Sequence, residues 1–534
     1  MTPVLSAARQ ARVVATRAAN QLGRGVVAVG LQARVIAERA VHQLVADRPW
    51  NVTSRVGFVV GLGLLFLVPG MLLATLIEWG SSTSNHEVAL GIGALATIGA
   101  GVLLVTFTRL DDDLPPASVF AAVAWTWICT SFFGALPLWF SGTLGSFDSA
   151  LFEAVSGMTA TGSTVLSPIE GAGRGVLMWR QIMQWYGGMG MVVLAVTILP
   201  FLGVGGLSLI TVEAPGPTSD RLAPRVSSTA RRLWALYGGI TAAIAAALMI
   251  TGLSLYDAVA HAFTTAGTGG FSPYDNSVGH FDSAAVEVVM IIGMLVGGIS
   301  FTLHWRAVSG NPRAYARSSE FRTYLIAVAA AAVVMSLLNW AGNLSDLSHS
   351  FRNGFFGAVT LSTSGGFSNA SDANPGGDFA AWTPGAQALL LPLMVMGGMT
   401  GSTAGGLKVL RAQVMAKFMR VGLLRVKHPQ VVARVKLGQT AVSEPVLQRV
   451  AGLVALYALT ALLAILVLAA LGEDLITSSS GAISALSNMG PALGDAGPTS
   501  NYLVFTRPAR AVLMALMLIG RLEFFAIFLV VVSA

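Results

Sequence analysis

Four short segments of this chain centre on a glycine and share a chemistry built from backbone oxygen atoms. Glycine adopts positive φ without steric cost, so consecutive carbonyl groups of a loop can face one side. Rings of such carbonyls can replace the hydration shell of an alkali cation such as K+. The segments are 159–163, 266–271, 362–367 and 487–491, and their central glycines are Gly162, Gly269, Gly365 and Gly490.

The candidate oxygen ligands are the three residues that end at each central glycine. Three loops place a hydroxyl residue directly before the glycine, where it adds a further oxygen, but the fourth has Met489 there. We therefore expect an asymmetric site with weaker discrimination between K+ and Na+ than a longer Gly-x-Gly run would give. The predicted K+ ligand set is Ala160, Thr161, Gly162, Gly267, Thr268, Gly269, Thr363, Ser364, Gly365, Asn488, Met489 and Gly490.

Helix packing is the alternative interpretation of these segments. Glycine and threonine are common where membrane helices approach closely, and for one segment alone that interpretation is favoured. Four segments at the same place in four successive units favour a shared function instead. Irregular backbone at membrane depth is tolerated only where protein or a water-filled cavity satisfies it, so four such loops predict a common cavity.

The composition requires a membrane protein. Of the 534 residues, 54% are hydrophobic and only 11% are charged, whereas a soluble surface needs about a quarter charged residues. The net charge of +7 comes from scattered basic residues that form no nucleic-acid-binding motif, so no nucleic acid partner is predicted. Cys129 is the only cysteine, and it rules out a disulfide framework or a cysteine metal site.

Ten apolar stretches are long enough to cross a bilayer, and the glycine loops fall between them in a regular order. The stretches are 56–78, 88–107, 117–141, 176–203, 233–255, 284–303, 321–341, 384–407, 450–471 and 510–532. The pattern predicts an all-α polytopic membrane protein with two N-terminal helices followed by four helix–pore loop–helix repeats around a central pore. The predicted units are a basic segment 1–55, a helix pair 56–110, and pore repeats 117–203, 228–308, 321–421 and 446–534.

Charge distribution gives the orientation. The segments 1–55, 108–116, 204–232, 304–322 and 408–449 hold 26 of the 32 basic residues. The positive-inside rule then predicts a cytoplasmic N-terminus and glycine loops at the outer face, where acidic residues would concentrate cations. For the segment 1–55, an amphipathic helix on the membrane surface and a loosely ordered tail remain equal alternatives.

The eighth apolar stretch is interrupted by glycine at its middle. Each glycine costs a helix about 1 kcal/mol relative to alanine, so this stretch is predicted to be an unwound loop that faces the cavity and forms a gate. No Gly-Lys-Ser/Thr sequence follows, as a phosphate-binding loop would require. The candidate gate residues are Gly397, Gly398, Gly401, Ser402, Thr403, Gly405 and Gly406.

Arg521 lies inside the last apolar stretch. An arginine at mid-bilayer costs about 2.5 to 3.5 kcal/mol on insertion scales, so it generally faces the protein interior or water. A structural pair with Glu523 is the alternative, but residues two apart point to different faces of a helix. We predict that Arg521 faces the cavity and limits cation passage together with the glycine-rich loop.

These motifs together resemble the TrkH/KtrB (Trk/Ktr/HKT) superfamily of K+ uptake proteins, and the extra helix pair is more similar to the TrkH branch. The resemblance covers almost everything after residue 56. It is carried by the segments 179–180, 184–190, 194–196, 198–200, 203–206, 268–272, 401–408, 488–491 and 520–523.

The resemblance implies gated K+ uptake in the cytoplasmic (inner) membrane of a bacterium. It also implies a homodimer with one pore per subunit, and a cytoplasmic ring of nucleotide-binding, TrkA-like subunits that opens the gate. K+ is then the transported ion, and no organic cofactor is expected. Passive flow and coupling to Na+ or H+ remain alternatives.

Two other function classes fit less well. A secondary transporter of another fold predicts two halves of inverted topology, whereas these four units repeat in one orientation. The enzyme hypothesis lacks a site, because His261, His280 and His304 are scattered without metal-ligand spacing. We therefore predict that the chain is not an enzyme.

Overall fold

The structure is a computed structural model that describes residues 55–81, 86–108, 116–197, 222–431, 433–438 and 440–524. The predicted basic segment 1–55 lies outside these residues, apart from Arg55, where the first helix begins. The ends of two predicted apolar stretches, 198–203 and 525–532, also lie outside them.

The described residues form helices and one short hairpin. The helices are α1 Arg55–Ser81, α2 Glu87–Phe107, α3 Pro116–Phe140, α4 Phe147–Met158, α5 Arg174–Thr197, α6 Leu222–Ile250, α7 Leu255–Ala266, α8 Ala284–Gly297, α9 Phe301–Val308, α10 Arg313–Arg317, α11 Ser319–Ala341, α12 Leu347–Ser362, α13 Pro384–Met396, α14 Val409–Lys427, α15 Glu444–Ala470, α16 Leu475–Ser487 and α17 Arg507–Arg521. The strands β1 Lys436–Leu437 and β2 Thr440–Ala441 pair antiparallel.

Six of the described helices are long and apolar enough to cross a membrane: α1, α2, α3, α6, α11 and α15. Their outward faces carry large apolar side chains, as a lipid-facing surface requires; exposed examples are Leu62 and Leu76 on α1 and Leu462 and Leu466 on α15. The chain is a multi-pass membrane protein, and the predicted all-α fold class is confirmed.

One of the predicted continuous spans is wrong in its continuity. The stretch 284–303 is divided into α8 and α9, whose axes meet at 97°. The break follows Gly297-Gly298, where helix propensity is low. The stretch 384–407 is interrupted where the glycines predict it, since helix α13 ends at Met396 and the remainder is a loop. In the last stretch, α17 ends at Arg521.

Four units of the same design follow α1 and α2. In each unit a long helix packs against a short buried helix, which we call the pore helix, and a loop leads from it to a second helix. The pore helices are α4, α7, α12 and α16. Three of them have a side-chain N-cap, from Ser254, Asp346 and Asp474, which fixes where the helix starts.

The units are arranged in a closed circle. The second helix of each unit packs against the pore helix of the next: α5 on α7, α8 on α12, α13 on α16, and finally α17 on α4. The C-terminal ends of the four pore helices are thereby directed toward a common centre. We call the side on which the pore helices begin the loop face, and the other side the opposite face.

Candidate cation pathway

The four pore helices end in the same capping motif. In each, the backbone N–H three residues beyond the helix (two beyond α16) bonds back to a carbonyl in its last turn, as in a Schellman cap. The N–H groups belong to Thr161, Gly269, Gly365 and Met489, and the accepting carbonyls to Ser156, Thr264, Thr360 and Ser484, at 2.8, 2.9, 2.7 and 2.9 Å. The residue before each donor has positive φ, between 49° and 52°: Ala160, Thr268, Ser364 and Asn488.

This repeated cap gives the structural alignment of the loops and corrects the predicted one. The equivalent glycines, each two residues beyond the positive-φ cap residue and themselves at positive φ, are Gly162, Gly270, Gly366 and Gly490. The central glycines chosen from the sequence in the second and third loops, Gly269 and Gly365, are therefore one residue too early. They occupy the position that Thr161 and Met489 hold in the other two loops.

The equivalent glycines close the four loops into a ring. A Cβ added to Gly162 would overlap the carbonyl oxygen of Gly269 in the second loop. Added Cβ atoms at Gly270, Gly366 and Gly490 would likewise lie 2.5 to 2.7 Å from a carbonyl oxygen of another loop. These oxygens belong to Gly365, Met489 and Thr161, respectively. Each loop thus packs its glycine against the next loop's carbonyl at the preceding position, and the fourth returns to the first. No side chain fits at these four positions.

Neighbouring side chains hold the loops in place. Gln184 on α5 donates to the carbonyl of Gly269 (2.6 Å) and accepts from the N–H of Phe271 (3.0 Å). In the third loop the Thr360 hydroxyl accepts from the N–H of Phe367 (2.8 Å), the counterpart of Phe271, and donates to the carbonyl of the same residue (3.1 Å). Asn488 donates to the Thr161 hydroxyl (3.0 Å), so the fourth loop is tied to the first.

The fourth loop differs in the environment of its glycine carbonyl. The oxygen of Gly490 accepts bonds from the hydroxyls of Ser163 (3.0 Å), Ser484 (2.9 Å) and Tyr502 (2.6 Å). Within the described residues, no corresponding bond reaches the carbonyls of Gly162, Gly270 or Gly366. The expected asymmetry thus has a structural basis, although residue types alone gave no sign that Tyr502 takes part.

The electrostatics of the ring favour a cation. All four pore helices direct their C-terminal ends, which carry partial negative charge, at the ring. A polar cavity of about 220 Å3 lies on the loop face and is lined by residues of all four loops and by Asp275. Glu170 accepts a bond from the Asp275 backbone (3.2 Å), and a hydrogen bond between the two carboxyl groups raises the pKa of Glu170 above its ordinary value.

A buried ion pair supports the cavity wall. Glu153 on α4 and Arg180 on α5 lie 2.7 Å apart, and both are almost completely buried. Glu153 also accepts from the N–H of Val165 (2.9 Å), and Arg180 donates to the carbonyl of Ser272 (3.3 Å). The pair therefore joins the segment after Gly162 in the first loop to the segment after Gly270 in the second loop. No group of three or more His, Cys, Asp or Glu in the described ranges could hold a metal ion.

We call the segment 397–408 the Gly-rich loop. It packs against the side of the ring that is directed toward the opposite face. The N–H of Gly405 bonds to the Ser364 hydroxyl (2.6 Å), and the N–H of Gly406 bonds to the carbonyl of Ser487 (2.9 Å). The hydroxyl of Thr268 donates to that of Thr403 (3.2 Å). The Gly-rich loop is thus bonded to the ends of three pore helices or their loops.

Other bonds fix the Gly-rich loop from the side. The bend between α8 and α9 is joined to it by the N–H of Phe301 to the carbonyl of Gly401 and the N–H of Met399 to the carbonyl of Gly298, both at 2.9 Å. The N–H of Thr400 bonds to the carboxylate of Glu320 (2.7 Å).

Arg521 is fully buried and binds carbonyl groups. It donates to the carbonyl of Thr403 in the Gly-rich loop (3.1 Å) and to that of Gly187 on α5 (2.8 Å). Glu523, the alternative partner considered from the sequence, pairs with Arg411 on α14. Lys408, also buried, donates to the carbonyl of Ala404.

Comparison with known proteins identifies the family. Residues 87–533 match the family model described as TrkH, cation transport protein. The chain belongs to the TrkH family. It is 36% identical to the Trk system potassium uptake protein TrkH of Halomonas elongata over 88% of this chain and 96% of that protein. The protein of the same name from Escherichia coli strain K12 is 35% identical, over 89% and 97%.

A solved member of the TrkH family has the same fold. The crystal structure of the potassium transporter TrkH from Vibrio parahaemolyticus matches with a TM-score of 0.81 at 31% identity, and the match covers 89% of this chain and 98% of that chain. The predicted resemblance to the TrkH branch is therefore confirmed.

Proposed function

We propose that this chain takes up K+ across the cytoplasmic membrane of a bacterium through a gated pore whose filter is the ring of four loops. The observation that carries the proposal is the closed circle in which each glycine packs against the next loop's carbonyl. Such a circle fixes the spacing of oxygen atoms around one axis, which is what dehydration of an alkali cation needs. The relatives are named as potassium uptake proteins, which supports K+ as the transported ion.

The ligand set proposed for K+ keeps the predicted residues Ala160–Gly162, Gly267–Gly269, Thr363–Gly365 and Asn488–Gly490 and adds Gly270 and Gly366. The four pore repeats predicted from the sequence, 117–203, 228–308, 321–421 and 446–534, are proposed as the quarters of this pore. Among the four glycine carbonyls of the described ring, that of Gly490 alone accepts hydrogen bonds from three hydroxyl groups. The four oxygens are therefore unequal, which supports only moderate K+/Na+ discrimination.

The Gly-rich loop and Arg521 are proposed as the gate. The loop lies directly against the ring, on the path from the ring to the opposite face, and its bonds come from side chains, from the end of α16 and from the α8–α9 bend. A buried guanidinium beside that path also repels a passing cation. Opening requires Arg521 to release the carbonyl of Thr403.

The remaining proposals concern orientation and assembly. We place the opposite face in the cytoplasm, because the predicted inner segments are basic. A homodimer and a ring of nucleotide-binding, TrkA-like subunits complete the system. Helix α14 supports a protein partner there, since it exposes Met419, Leu423 and Val426 together with Arg420 and Arg425. The protein acts as a transporter and not as an enzyme.

Growth of a bacterium that lacks its K+ uptake systems tests the function. Expression of this chain should restore growth on low K+ and Rb+ uptake. The double variant Gly270→Asp/Gly366→Asp should fail at comparable abundance in the membrane, because its side chains fill the ring. Restored growth with the double variant would refute the ring as the ion path, and absence of K+-dependent rescue by the unaltered chain would refute K+ uptake.

A further inference from the structure

A second cavity, separate from the one on the loop face, lies at the bend between α8 and α9. It has a volume of about 430 Å3, within the range of about 300 to 1,000 Å3 typical of small-molecule pockets. It is lined by Leu236, Ile240, Val296, Ile299, His304, Val308, Tyr315 and Phe321. These residues come from α6, the α8–α9 bend, α10 and α11, and the cavity lies in the half of the protein next to the opposite face.

The described residues in the wall of this cavity offer no free hydrogen-bonding side chain to an occupant. Its two polar side chains satisfy each other, because His304 Nδ1 lies 2.7 Å from the Tyr315 hydroxyl and His304 Nε2 lies 2.9 Å from the carbonyl of Val296. The remaining lining side chains are aliphatic or aromatic. An occupant would therefore present hydrocarbon to the wall.

The rim of the cavity on the opposite face is basic. Arg232 precedes Leu236 and Ile240 on α6 by one and two turns, so it continues the same helix face. It is exposed, and its guanidinium lies 5.6 Å from the ring of Trp305 on α9. Further exposed arginines follow on α9 and α10, and residues 298–319 contain neither Asp nor Glu: the arginines are Arg306, Arg313 and Arg317.

An apolar cavity with a cationic rim at the membrane boundary has the chemistry of a phospholipid site. We propose that this cavity binds one acyl chain of an anionic phospholipid whose phosphate is held by Arg232. The α8–α9 bend is hydrogen-bonded to the Gly-rich loop, so a bound lipid would stabilise the bend and, through it, the position of this loop. The inference rests on the proposed function only for the assignment of the cavity to the inner leaflet.

Native mass spectrometry of the purified, delipidated chain tests the site with two probes of identical acyl chains, phosphatidylglycerol and phosphatidylcholine. We expect preferential retention of phosphatidylglycerol. Arg232→Gln should weaken its binding roughly five-fold, as expected for one arginine near a lipid surface, and leave phosphatidylcholine binding unchanged. The matched control Arg434→Gln, an exposed arginine between α14 and β1, should bind like the unaltered chain.

A second variant separates loss of the site from loss of the fold. Ile240→Trp fills the cavity and should lower retention of both lipids, whereas Ala243→Trp, exposed on the same helix, should not. Equal retention of both lipids, with no effect of Arg232→Gln or Ile240→Trp, would overturn the proposal. A disulfide between two copies of Val308→Cys in a Cys129→Ala background would also overturn it, because a second copy of the chain would then occupy the mouth. K+ uptake is measured separately, so neither result depends on the proposed function.

Discussion

The ring and the Gly-rich loop are both irregular, glycine-rich backbone at similar depth, but they are held in different ways. Each loop of the ring is closed by main-chain bonds to its own pore helix, and the same bond recurs four times. The Gly-rich loop occurs once and is held partly by side chains, namely Ser364 and Glu320 of its own unit and Arg521 of the fourth unit. Repetition around a circle gives a fixed framework, whereas single bonds to side chains can be exchanged. We infer that the ring is the static part of the pathway and the Gly-rich loop the movable part.

The largest expected effect comes from adding a side chain to the ring. Gly162→Ala should reduce K+ uptake at least ~100-fold, because the Cβ would overlap the carbonyl of Gly269 at a residue with φ of +94°. Uptake of Rb+ by cells of equal membrane abundance is the measurement. Gly239→Ala is the control, since a Cβ there meets nothing within 4 Å. Uptake by Gly162→Ala equal to that of the control would contradict the closed, static ring.

Loss of the Arg521 side chain should free the Gly-rich loop to move. A hydrogen bond from a charged group contributes about 1.5 to 3 kcal/mol, so Arg521→Gln should raise K+ conductance of the unstimulated protein by about ten-fold or more. Single-channel or flux recordings in vesicles measure this. Conductance that stays at the level of the unaltered protein would mean that Arg521 is structural.

A smaller effect is expected at the contact between the two regions. Ser364→Gly suits the φ of +50° and removes the hydroxyl that accepts from Gly405 and donates to the adjacent carbonyl of Thr363 (2.7 Å). It therefore removes one neutral hydrogen bond between the two regions, of about 1 kcal/mol. Open probability should rise about five-fold without change in K+/Na+ selectivity. Ser362→Ala serves as control, because its hydroxyl bonds only within α12. Altered selectivity in Ser364→Gly would show that the two regions are not separable.

The smallest effect concerns pH on the loop face. The pKa of Glu170 is raised by its hydrogen bond with Asp275, so its negative charge is present only above that raised value. As the external pH falls through it, the apparent affinity for K+ should fall about two-fold, since the charge is partly exposed and screened. Glu170→Gln should abolish this dependence when uptake is measured against K+ concentration at several pH values. A pH profile unchanged by Glu170→Gln would assign the effect to another group.

Much of the fold could be predicted from the sequence, because apolar length and recurring glycine loops are local signals. The register of two loops could not. Gly269-Gly270 and Gly365-Gly366 offer two adjacent glycines each, and the structure chooses the second by placing Thr268 and Ser364 at positive φ. A β-branched threonine rarely adopts that conformation, so residue types favoured the other choice.

Long-range partners were also beyond local reasoning. Gln184 and Tyr502 hold the loops through bonds that span 85 and 12 residues, and Arg521 reaches Gly187 across 334. The division of stretch 284–303 had a local signal in Gly297-Gly298, but the length of the apolar run outweighed it. The bend exists because its free N–H and carbonyl groups bind the Gly-rich loop.

The two neighbouring glycines of the third loop test the central claim most directly. A Cβ at Gly366 would face the carbonyl of Met489 at 2.5 Å with φ of +68°, whereas a Cβ at Gly365 would overlap the flexible side chain of Met294 and lie 3.1 Å from the Thr363 hydroxyl. Rb+ and Na+ tracer fluxes of Gly366→Ala and Gly365→Ala should be compared in vesicles. The closed ring predicts that Gly366→Ala loses Rb+ flux or its preference over Na+, while Gly365→Ala keeps most of both. The reverse order, or equal fluxes, would contradict it.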